Sequence, residues 1–376
     1  MPRSRTRTSA TPRVRYAVVG LGHIAQVAVL PAFAHAENSE ITALVSDDPE
    51  KLEKLGRKYK VRGRFAYDQY DECLCSGLVD AVYIALPNHL HREYSERAAQ
   101  CGVHVLCEKP MAVTEEDCRS MIQVAEANDV KLMVAYRLHF EEANLKAIDL
   151  VQSGKLGDPR LFDSVFTMTV KEGDIRLNRR ELGGGTLYDI GIYCINAVRN
   201  LYGAEPMEVV AFSANCGDQR FQQCEETTSA ILRFPGRERL ATFTCSFGAA
   251  DVSSYRVVGS KGELVMDPAY EYAGELKQRV TIEGRTRSRT FGKRDQFAPE
   301  LVSFSECILT GASPEPSGWE GLADVRVIRA LYRSADSGQP VTLEPFTKED
   351  RPSPDQELRR PPVREPELVN TEAPSE

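Results

Sequence analysis

A short apolar run that ends in a glycine turn constrains this chain more than any other feature. Val14–Val19 (VRYAVV) suits a buried strand, and Gly20-Leu21-Gly22-His23-Ile24-Ala25 follows it at once. Residues 23–36 then carry a helical pattern. A strand that turns into a helix through GxGxxA is the phosphate-binding turn of a doubly wound sheet. Each small residue has a physical task. Gly20 permits the tight turn, Gly22 lets a pyrophosphate reach the backbone, and Ala25 lets helix and strand lie close. Unpaired N–H groups at the helix start, around His23 and Ile24, supply positive potential for phosphates.

Alternation continues downstream. Residues 40–45, 79–86, 103–106 and 131–135 read as strands. Pro49 opens one helix, 91–101 reads as a second, and Thr114 caps a third to 128. Strands alternating with helices imply parallel βαβ units. After residue 136 the pattern changes. A helix over 140–152 precedes segments at 160–170, 207–214, 229–234, 240–247, 255–258, 262–266 and 278–282. These suit an antiparallel sheet, with a late helix at 325–337. Residues 350–376 hold six prolines and many charges, so an extended tail is expected. The expected division is a flexible arm over 1–13, a dinucleotide-binding domain over 14–136, a substrate and oligomerisation domain over 137–349, and the tail.

With 47 basic against 55 acidic residues, net −8, the chain is not built to bind a polyanion, so no nucleic-acid partner is expected. No run of 18 apolar residues exists, and no apolar region follows the basic stretch at 1–13. Neither a membrane span nor a secretory signal is expected, and the expected compartment is cytoplasmic. Ten dispersed cysteines fit free thiols in a reducing compartment, and Cys73 and Cys75 read as two thiols on a short helix. No metal-ligand set is evident. All six histidines lie at or before His139, so the second half contributes no imidazole.

Three further motifs carry chemistry. The second strand ends before Ser46-Asp47-Asp48-Pro49-Glu50-Lys51. Ser46 and Lys51 suit the 2′-phosphate of NADP, whereas Asp47 or Asp48 turned inward would favour the ribose hydroxyl of NAD; NADP is the favoured cofactor. Glu108-Lys109-Pro110 follows a strand where ligands of such sheets sit, so Lys109 could hold a substrate hydroxyl. In Gly183-Gly184-Gly185-Thr186-Leu187-Tyr188-Asp189-Ile190-Gly191-Ile192-Tyr193, Asp189 and Tyr193 are four apart and share a helical face. A carboxylate beside a phenol can serve as an acid/base and hydroxyl-binding pair. Gly191 between them would let a ligand or backbone approach.

Together with Leu86-Pro87-Asn88-His89-Leu90-His91, Tyr136-Arg137 and Ser153-Gly154-Lys155-Leu156-Gly157, these motifs resemble the glucose–fructose oxidoreductase, inositol dehydrogenase and rhizopine catabolism (Gfo/Idh/MocA) superfamily over about residues 14–340. The likeness is greatest to the glucose–fructose and aldose–aldose oxidoreductase branch, where a tyrosine stands four residues after the helix aspartate. It implies an N-terminal Rossmann domain joined to an α/β domain with a large, mostly antiparallel open-faced sheet, through which a homodimer or homotetramer forms. It implies catalytic roles for Lys109, Asp189 and Tyr193, with Tyr193 as proton donor and acceptor. It further implies NADP contacts from Gly20, Gly22, His23, Ile24, Ser46, Lys51, Tyr67, Leu86, Pro87, Asn88, His91, Glu108, Lys109, Arg137 and Arg176. The implied reaction is hydride transfer between a glucose-like aldose and NADP, with a retained cofactor and a second sugar as acceptor in a ping-pong cycle. An NAD(P)-dependent glycosidase or a non-catalytic sugar and cofactor sensor on the same fold are the alternatives. Two departures stand out: the basic arm (Arg3, Arg5, Arg7, Pro12) is short, and Ile175 replaces an aromatic before Arg176.

Overall fold

The computed structural model describes residues 12–375 apart from 237, 238 and 349; the arm's Arg3, Arg5 and Arg7 lie outside the described residues. β1 (Val14–Val19), β2 (Ser39–Val45), β3 (Gly63–Phe65), β4 (Ala81–Ile84), β5 (His104–Glu108) and β6 (Leu132–Ala135) form one sheet in the order β3-β2-β1-β4-β5-β6. Every pairing in it is parallel. Both faces are buried: Tyr16 and Val18 enter one apolar cluster, Ala17 and Val19 the other. That is why β1 reads as an unbroken apolar run rather than an alternating one. The chain moves outward from β1 to β3 and then restarts beside β1 with β4. A crevice therefore opens at the carboxyl ends of β1 and β4, the switch point where such sheets bind ligands.

Helices flank the sheet. The one after β1 starts as a π turn (Ala25–Val29), passes through α1 (Leu30–Ala32) and ends as a 3-10 turn (Phe33–His35). Pro31 lacks an N–H, so the stretch cannot run as one regular α-helix. α2 (Pro49–Lys58) is capped by Asp48, α3 spans Tyr70–Cys75, and α4 spans His91–Gln100. α5 (Glu115–Ala127) is capped by Thr114, whose hydroxyl accepts from the Asp117 amide at 3.0 Å. α6 (Glu142–Gln152) leads into the second half.

The second sheet has nine strands: β7 (Pro159–Thr169), β8 (Glu208–Ala214), β9 (Thr227–Phe234), β10 (Arg239–Ser246), β11 (Gly248–Gly259), β12 (Gly262–Met266), β13 (Leu276–Ile282), β14 (Arg285–Phe291) and β15 (Val341–Thr342). Their order is β14-β13-β12-β11-β7-β10-β9-β8-β15. All pairings are antiparallel except β7 with β10. One face carries α7 (Ile192–Tyr202) and α9 (Gly318–Ser337); the other is open. β14 has no sequence signature, because six of its seven residues are exposed and three are arginines. Such a charged edge strand lacks the alternation that marks a half-buried one.

One element departs from the linear division of the chain. α8 (Ala298–Thr310), absent from the sequence reading, returns to cover the first sheet. Tyr16 and Ser39 each hydrogen-bond Ser305 at 2.8 Å. A cut at residue 136 therefore does not divide the packing. Residues 350–375 carry one 3-10 turn (Pro354–Gln356) and otherwise neither helix nor strand, and they lie against the body. Arg351 donates to Glu205 and Arg360 to Glu37, both at 2.8 Å. None of the ten cysteines is in a disulfide, and no described helix is long and apolar enough to cross a membrane.

Arg199, fully buried on α7, is the electrostatic joint of the second half. It donates to Glu205 at 2.6 Å, and to Glu320 at 3.0 Å and Asp324 at 2.5 Å on α9. Removing the cation would leave three buried carboxylates short of positive charge, with Arg351 on Glu205 and Lys348 on Glu320. Arg199→Met is expected to cost about 3–5 kcal/mol of stability, read as a lower urea midpoint; an unchanged midpoint would show that the carboxylates are neutralised some other way.

Candidate active site

Gly20 ends β1 at φ +91°, and a Cβ there would meet the Ala85 carbonyl oxygen at 2.4 Å. Only glycine fits between the β1 and β4 ends. Gly22 differs: a Cβ placed on it meets nothing within 4 Å. The turn therefore faces open space on the side where a pyrophosphate would lie. Helical pairing starts with the Gln26 amide on the Gly22 carbonyl at 3.2 Å, so the amides of Gly22, His23 and Ile24 precede the helical ladder. His23 is half-buried. Burial and then the charge of Arg176 lower its pKa, so the ring is mostly neutral at pH 7.

At the end of β2, Ser46 is buried and accepts the Asp48 amide at 3.2 Å. Both carboxylates beside it are already engaged. Asp48 caps α2, accepting from the Glu50 and Lys51 amides at 2.9 and 3.0 Å, and Asp47 accepts the Tyr67 amide at 2.9 Å. Burial raises the Tyr67 phenol to about 12, and Ser46 stands within its reach. The site thus presents hydroxyls and the partly buried Lys51, while Asp48 is taken up by the α2 cap and Asp47 by the Tyr67 amide. This arrangement fits NADP better than NAD.

The reactive end gathers residues from three loops and one helix. Lys109, after β5, donates to the Asp189 carbonyl at 2.8 Å and to its carboxylate at 3.2 Å. Arg176, after β7, donates to the other oxygen of Asp189 at 2.7 Å and also to Asp174 at 3.2 Å. Burial alone would raise the Asp189 carboxyl, but Arg176 and Lys109 outweigh it and hold it at about 2. Burial pulls Lys109 down, yet Tyr193, Asp189 and Glu108 together leave it raised, so it stays a cation. Its ammonium lies 4.9 Å from the Tyr193 ring centre, and the Arg137 guanidinium 5.0 Å from it. Phe166 and Tyr270 pack on the same ring. A cavity of about 30 Å³ adjoins Lys109, Arg137, Tyr193 and Asn196, room for a water rather than a sugar.

Several expected contacts take other forms. The spacing predicts Asp189 and Tyr193 side by side as carboxylate and phenol; instead Asp189 sits in a π turn (Leu187–Gly191) and holds two cations, while Tyr193 lies in the first turn of α7. Gly191 does not face a ligand: its Cβ would meet Cys245 of β10 at 3.3 Å, so its smallness serves helix–sheet packing. His91 is fully buried, its ring nitrogens 2.9 Å from the Pro110 carbonyl and 2.8 Å from that of Leu86. It ties two strand-end loops together and presents no free nitrogen. Glu108 turns toward Tyr83, whose hydroxyl donates to it at 2.8 Å. Asn88, beside buried Leu86 and partly buried Pro87, donates to the Gly183 carbonyl at 2.8 Å and links the two halves. Arg137 is buried, with one nitrogen on the Tyr270 carbonyl at 2.5 Å and another on Gln296. Its place is against Tyr193. Asp174, Tyr270 and Gln296 were not foreseen, and only Asp174, an acid two residues before Arg176, left any local sign. Among the described residues no cluster of His, Cys, Asp and Glu could hold a metal ion.

Known proteins resemble this chain over both of its halves. Residues 14–136 match the Gfo/Idh/MocA oxidoreductase family with an NAD-binding Rossmann fold, and 144–265 match the Gfo/Idh/MocA C-terminal domain. The D-xylose 1-dehydrogenase (NADP(+)) of Haloarcula marismortui is 32% identical over 344 residues, 90% of this chain and 95% of that protein. A D-xylose 1-dehydrogenase (NADP(+)) of Haloferax volcanii is 30% identical, over 88% of this chain and 99% of its own. Among solved structures, aldose–aldose oxidoreductase from Caulobacter crescentus complexed with glycerol superposes with a TM-score of 0.84 at 40% identity, over 88% of this chain and 100% of that one.

The ion pairs of Asp189 make a pH-dependent prediction. Its folded pKa lies below its ordinary 3.8, at about 2. Its stabilisation is therefore fully present above about pH 4 and lost as pH falls toward 2. Asp189→Asn is expected to lose roughly 2 kcal/mol at pH 7, with the gap to the parent closing in acid melts below pH 4. A gap that stays constant with pH would exclude the ion pairs as its source.

Proposed function

Because the chain belongs to the Gfo/Idh/MocA oxidoreductase family, we propose that it is an NADP-dependent sugar oxidoreductase acting on a CH–OH group of an aldose. The single observation that carries this reading is the phenol of Tyr193 set against two cations, Lys109 and Arg137, on the same side of the fold as a phosphate-binding turn. Relatives named for D-xylose and for aldose–aldose oxidoreduction support an aldose as substrate. Gly20, Gly22, His23 and Ile24 would hold the pyrophosphate, and Ser46, Lys51 and Tyr67 the 2′-phosphate end. Bound NADP supplies the hydride acceptor.

The remaining work falls to side chains. Tyr193 accepts the proton of the sugar hydroxyl. Lys109 stabilises the negative charge that develops on that oxygen, and does so without reorganising, because Asp189 already fixes its ammonium. Asp189 acts through Lys109 and Arg176 rather than on the sugar directly. Arg137 also packs against the phenol ring, 5.0 Å from its centre. In the reverse direction Tyr193 returns the proton, so one set of residues serves oxidation of a first sugar and reduction of a second if the cofactor stays bound.

The open face of the second sheet is the proposed interface between copies of the chain. Leu161, Phe212, Ile231 and Leu240 are 51%, 67%, 48% and 45% exposed. Cross-strand register places Leu240 opposite Leu161, and Thr242 opposite Ile231, on that face. A cluster of this kind is more apolar than a solvated sheet face requires. Phe212→Glu is expected to lower the mass seen by light scattering from a dimer or tetramer to a smaller species. An unchanged mass would move the interface elsewhere.

The function is tested by the reduced-nicotinamide absorbance of the purified protein on addition of D-xylose or D-glucose, first alone and then with NADP. A band that appears with sugar and fades with a second sugar supports the retained-cofactor cycle; a band that needs added NADP supports a dehydrogenase. No band with any aldose would defeat the proposal. Tyr193→Phe is expected to slow sugar oxidation by about 10²–10⁴-fold while NADP still binds; unchanged turnover would remove Tyr193 from the chemistry.

A further inference from the structure

Residues 369–375 run from the helix after the phosphate turn, past the start of α2, to the end of β7. Val369 and the side chain of Gln26 exchange two hydrogen bonds, each 2.8 Å. Gln26 immediately follows the GxGxxA turn, and its amide nitrogen also donates to the Leu21 carbonyl inside that turn at 3.0 Å. The Val369 side chain packs on the same apolar cluster as Ile24 and Val27. Asn370 then donates to Asp48 at 3.1 Å and to Glu50 at 2.9 Å. These are the cap and first turn of α2, beside Ser46 and Lys51. Five residues later the chain reaches the other wall. Ser375 forms a bridge with Val170, and the Lys171 amide donates to the Pro374 carbonyl at 2.9 Å. The loop that follows carries Arg176, which holds Asp189 beside Lys109, so this wall adjoins the reactive end of the site.

Residues 369–375 thus join the first sheet's crevice to the second sheet. A segment from Asn370 to Ser375 spans at most roughly 17 Å, and a bend at Asn370, φ +47°, turns it from the α2 side toward the second sheet. We propose that this segment is a clasp of the cofactor site: it closes over bound NADP from the adenosine side to the β7 end and slows its release. The proposal rests on the NADP reading above. The anchors suit a clasp that opens. Asn370 is exposed, Val369 is only partly buried, and each hydrogen bond is worth about 0.5–1.5 kcal/mol net. Asn370 also keeps the Asp48 and Glu50 carboxylates engaged at the end where a 2′-phosphate would bring two negative charges.

The test is the rate at which bound NADPH leaves, followed by its fluorescence when excess NADP is added, in three proteins: the intact chain, a chain ending at Pro366, and Asn370→Ala. Release is expected to be at least ten-fold faster from the shortened chain and about three-fold faster from Asn370→Ala, with aldose oxidation at saturating NADP no slower than in the intact chain. Equal release rates from the intact chain and Asn370→Ala, together with equal rates from the shortened chain where it folds, would overturn the clasp while leaving the NADP reading standing. An intact chain that takes up no NADPH would overturn the NADP reading and the clasp with it. Should the shortened chain not fold, Asn370→Ala decides alone, since it removes two exposed contacts and leaves the α2 cap in place.

Discussion

The carboxylate of Asp189, held between Lys109 and Arg176, is the contact on which the rest of the site depends. Lys109 comes from the first sheet, Arg176 from the loop after β7, and Asp189 from the turn that opens α7. One buried anion therefore sets the relative position of three separate pieces of chain. The arithmetic of charge matters as much as the geometry. Two cations share one carboxylate, with Asp174 completing the neutralisation of Arg176. The Lys109 ammonium keeps a share of its charge for its other neighbour, the Tyr193 ring. In a partly dry setting such an arrangement favours a transition state in which negative charge grows on a substrate oxygen.

Two of the helices that start at the site carry π turns near their beginnings, Ala25–Val29 and Leu187–Gly191. A π turn widens the backbone and changes the direction of the residues that follow. In the second case it separates Asp189 from Tyr193, which a regular α-helix would stack one above the other. The carboxylate is thereby free to meet two cations while the phenol meets the apolar wall of Phe166 and Tyr270. Behind α7 the Arg199 cluster fixes the helix to α9, so the position of Tyr193 is held from its own far end as well.

Local signals in the sequence were enough for five of the six strands of the first sheet. The apolar runs of β1 and β4, the turn at Gly20 and the Thr114 cap each act within a few residues, and all appear at or near the expected places. β3 was too short to show a period. α8 was legible in principle: Ala298, Leu301, Phe304 and Ser305 recur at helical spacing, Asp295 accepts the Phe297 and Ala298 amides, and Gly311 ends the helix at φ +81°. Its destination was not legible, since nothing in its own residues names β1 and β2 as partners. The edge strand β14 was hidden for the opposite reason. Its side chains face solvent, and strand periodicity is visible only where one face is buried.

The sequence by itself determined which chemical groups are present and the local geometry that each turn demands: a glycine where two strand ends nearly touch, a lysine after β5, a carboxylate and a phenol four residues apart, and no late histidine. Tertiary structure alone decided who meets whom. It gave Asp189 to Lys109 and Arg176, turned Glu108 toward Tyr83, buried His91 between two carbonyls, and brought Val369 and Asn370 to Gln26 and Asp48 from over 300 residues away. The physical reason is range. Turn and cap preferences are set by a residue and its near neighbours, whereas ion pairs and burial depend on groups that only the completed fold brings within a few ångströms.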